Sequence, residues 1–339
     1  MSRIDVHHHI YPPQMYEGKY PQLRQHTDHS LTAIPALEAG GGDPSGWKTP
    51  EWTQQLDDAL TSKTNIGTAI FSVTSPGAPV LEDGKKAAAA ARQFNEYCAK
   101  LRDTNPSKYG FFTNLGNLVD VEPCLEEIRY SFDTLQADGV VLFTRYGRHY
   151  LGAECFKPIW AELNRRKAVV FIHPTHPYDD TKVNKHSPSP IFDFPHETTR
   201  TAADLIMANN LREFPDCKII LSHGGGTLPY LIHRIGIVAD TPFKIPGKSY
   251  EDIIEDGKRF YFDLALSGSD VMLSALLEFA KPGHLLFGSD FPNAPDATIE
   301  RGVGVIDRYE MSPETRKMIH HEAALALFPR LKDAYKNVK

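Results

Sequence analysis

The chain has 339 residues, 41% hydrophobic and 24% charged, with a formal net charge of −6 and a pI near 6.2. That balance offers no basic surface for nucleic acid or an anionic membrane. No run approaches the roughly 18 apolar residues of a membrane span, the N-terminus lacks a signal-peptide core, and the four cysteines (Cys98, Cys124, Cys155, Cys217) are scattered, so a reduced, soluble, cytoplasmic protein is expected.

Along the chain, short apolar runs recur: IDVHHHI (4–10), TAIFSVT (68–74), YGFFTNL (109–115), GVVLFT (139–144), AVVFIHP (168–174), KIILSH (218–223), FYFDLA (260–265) and HLLFGSD (284–290). Each has the length and β-branched or aromatic content of a strand buried on both faces. Between them, 85–103 and 122–135 carry apolar residues at helical spacing, and 312–328 opens with Ser312-Pro313, a cap followed by proline at the first helical position. Eight strands alternating with helices predict an α/β fold, a closed (β/α)₈ TIM barrel forming one domain over 1–339. An open doubly wound sheet is the alternative, and no G-x-G-x-x-G follows an early strand to support it. Residues 11–66 and 174–197 are too long for simple loops, so inserts are expected after strands 1 and 5, over the face where barrels keep their chemistry.

Polar residues end these apolar runs in a telling way. In a strand, His7 and His9 share a face about 7 Å apart, with His8 opposite. A tag remnant would sit outside the fold, whereas Ile4, Val6 and Ile10 interleave with this trio as in a buried strand. His173, His223 and Asp290 end the fifth, sixth and eighth runs at their carboxyl ends. Imidazoles with a carboxylate suit one divalent ion, Zn²⁺ first and Mn²⁺ close behind, with a position left open for substrate.

The stretches DVHHHIYPP, FIHPTHP, HGGGTLPYLIHRI and LFGSDFPNAP together resemble the amidohydrolase superfamily, and more narrowly its decarboxylase branch, which acts on acids such as γ-resorcylate and isoorotate. The resemblance spans essentially the whole chain. It implies metal ligands at His7, His9, His173 and Asp290, catalytic roles for His223 and Asp290, and an arginine at Arg234 that reaches a substrate carboxylate across a homodimer interface. It also implies non-oxidative, metal-dependent decarboxylation of a small aromatic acid, an ortho-hydroxybenzoate. The fourth run has no lysine to bridge two metals, which argues for a single ion, and Gly226 stands where γ-resorcylate decarboxylase has a glutamate, so His223 must be oriented by something else. Phe291, Trp47 and Arg145 are further candidate substrate contacts; each is equally read as packing or a surface ion pair. Glu197 and Arg200 in HETTR read as a helix start with an ion pair. The rival reading of the same scaffold is a lactone or amide hydrolase, and a more remote one is a binding protein with a structural zinc.

Overall fold

In the computed structural model, residues 2–15, 23–25, 31–33, 47, 50–81, 83–179, 181–184 and 186–336 are described. Eight parallel strands follow the expected runs: β1 (Arg3–Ile10), β2 (Ile66–Val73), β3 (Tyr109–Thr113), β4 (Gly139–Phe143), β5 (Val169–His173), β6 (Lys218–Leu221), β7 (Tyr261–Asp263) and β8 (Leu285–Leu286). They pair in chain order in one sheet. β8 returns to β1 through Val6 N donating to Phe287 O (3.0 Å), Asp290 N to His7 O (2.8 Å) and a parallel bridge between His8 and Phe291, which closes the cylinder. The architecture is a (β/α)₈ barrel.

The surrounding helices are amphipathic for the reasons read in the sequence. α1 (Gln54–Lys63) precedes β2 and is capped by the Thr53 hydroxyl. α2 (Gly84–Thr104) is capped by Asp83 and buries Ala87, Ala90, Ala91, Phe94 and Cys98 along one stripe. α3 (Val121–Asp133), α4 (Lys157–Arg165), α5 (Ser189–Met207) and a short α6 (Asn210–Glu213) follow, then α7 (Leu228–Gly236), α8 (Tyr250–Gly257), α9 (Asp270–Phe279) and α10 (Asp296–Arg308). The helix expected over 312–328 is interrupted: Pro313–Lys317 and Ala323–Leu327 flank a π-helical turn at Met318–Glu322. The insert after β5 is shorter than expected as irregular chain, because α5 begins at Ser189. HETTR therefore lies inside that helix, and Glu197 and Arg200 meet on the Tyr150 hydroxyl (2.9 and 3.4 Å). Much of the insert after β1 lies outside the described residues.

Ile4, Val6, Ile70, Phe112, Val141, Phe171, Ile220 and Leu286, drawn from seven strands, form one buried cluster that also takes in Phe328 and Leu331 from the C-terminal segment. This is the barrel interior with its lower plug. His7 is also inside, with its ring 4.9 Å from that of Phe171. Strict alternation cannot place Val6 and His7 on one side. The pairing of β1 with β2 explains it: Asp5 faces Ala69 while His8 faces Phe71, three residues against two, and the shift is a bulge. Beyond the bulge the phase has changed, so Ile10 packs outward with Phe71 and Leu60 while His7 and His9 face in.

Candidate metal and active site

Each of His7, His9, His173 and Asp290 offers a ligand atom, and these atoms lie within 4.8 Å of one another, all four residues buried. His7 Nε2 is 3.1 Å from His9 Nε2. Asp290 Oδ1 is 3.4 Å from His7 Nε2 and 3.1 Å from His9 Nε2. The structure thus brings together side chains from β1, the end of β5 and the turn after β8.

What aims the imidazoles is the partner of each Nδ1. His7 Nδ1 is 2.9 Å from Asp263 Oδ2, His9 Nδ1 is 3.0 Å from Ser72 Oγ and 3.3 Å from Ser72 O, and His173 Nδ1 is 2.8 Å from Pro174 O. Nδ1–H donation to oxygen turns each Nε2 toward the common centre, and in the neutral ring it leaves that lone pair for a metal. Three such nitrogens and a carboxylate oxygen crowded together fit a divalent cation, which would relieve their mutual repulsion. The electrostatics agree. Burial presses the His7 imidazole down, but Asp263 and Asp290 outweigh it and lift it to about 10. Burial lowers His9 and, further, His173, where the neighbouring imidazoles add to it. Burial opposes ionisation of Asp290, yet His223, His7 and His9 hold its carboxyl well below the usual carboxylate range.

His223 stands beside the cluster, its Nε2 3.6 Å from Asp290 Oδ2, and neither ring nitrogen has a hydrogen-bond partner among the described residues. Its backbone N–H donates to Asp263 Oδ1 (3.1 Å). Asp263, at the end of β7, therefore holds the His7 ring and the His223 backbone, while among the described residues nothing takes the place of the missing glutamate on the His223 ring. Sequence reading passed over Asp263, although an acid interrupting the apolar run FYFDLA was a usable signal. A longer residue has no place at Gly226: its φ is +63°, and a Cβ there would lie 2.0 Å from the carbonyl oxygen of Pro195 in α5.

His173, His223 and Asp290 form the floor of a cavity of about 200 Å³. Its wall is divided. Tyr11, Thr74, Ser75 and Asn293 make a polar arc, in which the Tyr11 hydroxyl donates to Asn293 Oδ1 (2.5 Å) and Asn293 Nδ2 to Thr74 Oγ1 (3.1 Å). Ile191, Phe194, Leu266, Ala294 and Pro295 make an apolar arc. Trp47 is on this wall. Phe291 is not; it packs in the outer core against the His8 ring, 5.0 Å between centroids. Arg145 lines adjacent cavities, where its guanidinium donates to Gly147 O and lies over Tyr150 and Tyr178. Arg234 is exposed on the last turn of α7, away from the pocket of its own chain.

With this geometry in view, the comparisons are decisive for the family. The amidohydrolase family model matches residues 4–330. The chain belongs to the amidohydrolase family. It is 50% identical to the 6-methylsalicylic acid decarboxylase of Penicillium expansum, over 98% of each chain. It is 48% identical to the 6-methylsalicylic acid decarboxylase acuB of Aspergillus aculeatus, covering 99% of this chain and 98% of that one. Among solved structures, a dihydroxybenzoic acid decarboxylase from Polaromonas sp. JS666 with bound manganese and the inhibitor 2-nitroresorcinol superposes with a TM-score of 0.75 at 20% identity, over 99% of each chain. These three relatives are thus decarboxylases of hydroxybenzoic acids.

Proposed function

We propose that this protein is a metal-dependent decarboxylase that converts 6-methylsalicylate to 3-methylphenol and CO₂. The observation that carries the reading is the convergence of three imidazoles and the Asp290 carboxylate on the floor of a mostly apolar cavity; the full-length likeness to 6-methylsalicylic acid decarboxylases supports that acid as the substrate. His7, His9, His173 and Asp290 would hold one divalent ion. That donor set suits Zn²⁺, and manganese is present in the Polaromonas neighbour. When bound, the cation supplies Lewis acidity and a template for the adjacent phenolate and carboxylate oxygens of the substrate.

The protein's own groups do the rest. The ring lies against Phe194 and Leu266, and enclosure by the cavity removes rotational freedom. Because Asp290 is held as a carboxylate, it must receive a proton before giving one up. His223 is the group at hand, 3.6 Å away. The proton passes from Asp290 to the ring carbon bearing the carboxyl group and forms a C–H bond. The C–C bond then breaks, CO₂ departs, and its electron pair restores the aromatic ring. Four free cysteines fit a reducing, cytoplasmic location. A homodimer in which Arg234 would reach the substrate of the neighbouring subunit is in keeping with exposed Tyr230 and Ile237 on either side of Arg234 in the chain.

Metal-loaded protein incubated with 6-methylsalicylate, γ-resorcylate and orsellinate, with loss of the acid followed by chromatography, tests the reading. The first should be consumed fastest, with 3-methylphenol formed in equal amount. Asp290→Asn should keep the circular dichroism spectrum and lower turnover by about 10²-fold or more, the scale of a lost proton-transfer group. Turnover within threefold of wild type would remove Asp290 from the proton path.

A further inference from the structure

The third histidine of the opening trio takes no part in the cluster, yet it is fully buried and charged on both sides. His8 Nδ1 is 2.9 Å from Asp5 Oδ2, and its Nε2 is 3.0 Å from Asp57 Oδ1 in α1, an ionic contact without hydrogen-bond alignment. Asp5 accepts three more bonds: its Oδ1 from His7 N (3.1 Å) and Ser289 N (3.0 Å), its Oδ2 from Ser289 Oγ (2.5 Å). Ser289 Oγ in turn accepts from Phe291 N (3.0 Å). At the far end, Asp57 Oδ2 accepts from the Tyr109 hydroxyl (2.8 Å), with Lys108 Nζ 3.3 Å away. One continuous chain of polar contacts runs from β3 through α1 and β1 to the turn after β8.

Its location is informative. Every other neighbouring pair of barrel strands is held by a ladder, whereas β8 and β1 share an isolated bridge and scattered backbone bonds. β8 is regular over Leu285–Leu286, and Asp290 comes four residues later with φ +61°. Backbone bonds do cross the seam here, Asp290 N and Ser289 N both donating to His7 O (2.8 and 3.3 Å), but they hold the main chain alone and leave the seam without a regular ladder. Asp5 grips the residue before Asp290 by both its N–H and its hydroxyl, and grips the N–H of His7 with the same carboxylate. Stability alone gives little reason for such a buried ionic network, since apolar residues of equal volume commonly serve as well or better; directional groups contribute register.

We propose that Asp5, His8, Asp57 and Ser289 are positioning residues: they clamp the β8–β1 seam and thereby set the spacing of His7 and Asp290 for the metal. This rests on the metal-site reading above. The test is titration of the metal-free chain with Co²⁺, whose visible absorption reports ligand geometry, for wild type, Ser289→Ala and Asp57→Asn. Neither substitution replaces a ligand or a residue of the pocket wall, although the Ser289 hydroxyl also lies 3.4 Å from the His7 carbonyl oxygen. Both variants should fold, bind Co²⁺ about 10- to 100-fold more weakly, the usual effect of losing an outer partner of a metal ligand, and show a shifted or weakened band. Ser289→Thr, which keeps the hydroxyl, should recover most of the affinity. Variants that melt earlier but bind with wild-type affinity and spectrum, or that fail to fold at all, would show the network to be merely structural and overturn the proposal. Wild type that binds no Co²⁺ would instead overturn the metal-site reading itself.

Discussion

At the scale of single residues, the site is a set of aimed lone pairs. His7 is the sharpest case, lodged between Asp263 and Asp290 and lifted to about 10. Below that pH the metal-free imidazole carries two protons, and Nε2 must lose one to become a ligand. Metal binding should therefore release protons, and apparent affinity should rise with pH between 6 and 8, by up to about tenfold per unit for each proton released. Calorimetric titration in two buffers of different ionisation enthalpy checks this: the observed heat should differ between them, and equal heats would mean that His7 is already neutral. The ligands themselves were legible in the sequence, since His7, His9, His173 and Asp290 each break or end an apolar run. Asp263 left a trace, an acid inside the apolar run FYFDLA, but its partner could not be read, and Ser72 left none, because residues that aim a ligand are defined by where that ligand points and follow no spacing rule. For Phe291, offered as either a substrate contact or packing because it adjoins Asp290 in sequence, the structure shows packing, with its ring against His8.

At the scale of elements, hydrophobic runs located all eight strands, since strands buried on both faces are continuous in apolar residues. The bulge in β1 was illegible: a period-two pattern does not announce where its phase slips, and the slip is what lets Val6 and His7 share the interior. α5 starts at Ser189, earlier than the helix start read at HETTR, and it carries Pro195 inside it. The helix accommodates it, and Pro195 O accepts from the Thr199 hydroxyl (2.9 Å). α10 contains two glycines, Gly302 and Gly304, and a Cβ at Gly304 would meet no atom within 4 Å. Gly304→Ala should stabilise the protein by about 0.5–1 kcal/mol through helix propensity and a less flexible unfolded chain. A lowered melting temperature in thermal denaturation would contradict that account of α10.

At the scale of the whole molecule, the barrel acts as a frame that gathers residues from position 7 to position 290 onto one mouth. The fold class could be read in advance because alternating strands and helices admit few parallel-sheet architectures. The pocket could not, because its walls come from β1, β2, α5 and the turns after β7 and β8, and no local pattern links them. A mostly apolar wall with a hydrogen-bonded group of Tyr11, Asn293 and Thr74 suits an aromatic acid. Among the described residues no helix is long and apolar enough to cross a membrane. The X-ray absorption spectrum of the Zn²⁺-loaded protein tests the central claim most directly. It should show about three imidazole nitrogens and one or two oxygens near 2.0–2.2 Å, with one metal per chain. Sulfur near 2.3 Å, or a shell without imidazole scattering, would contradict a centre built from His7, His9, His173 and Asp290.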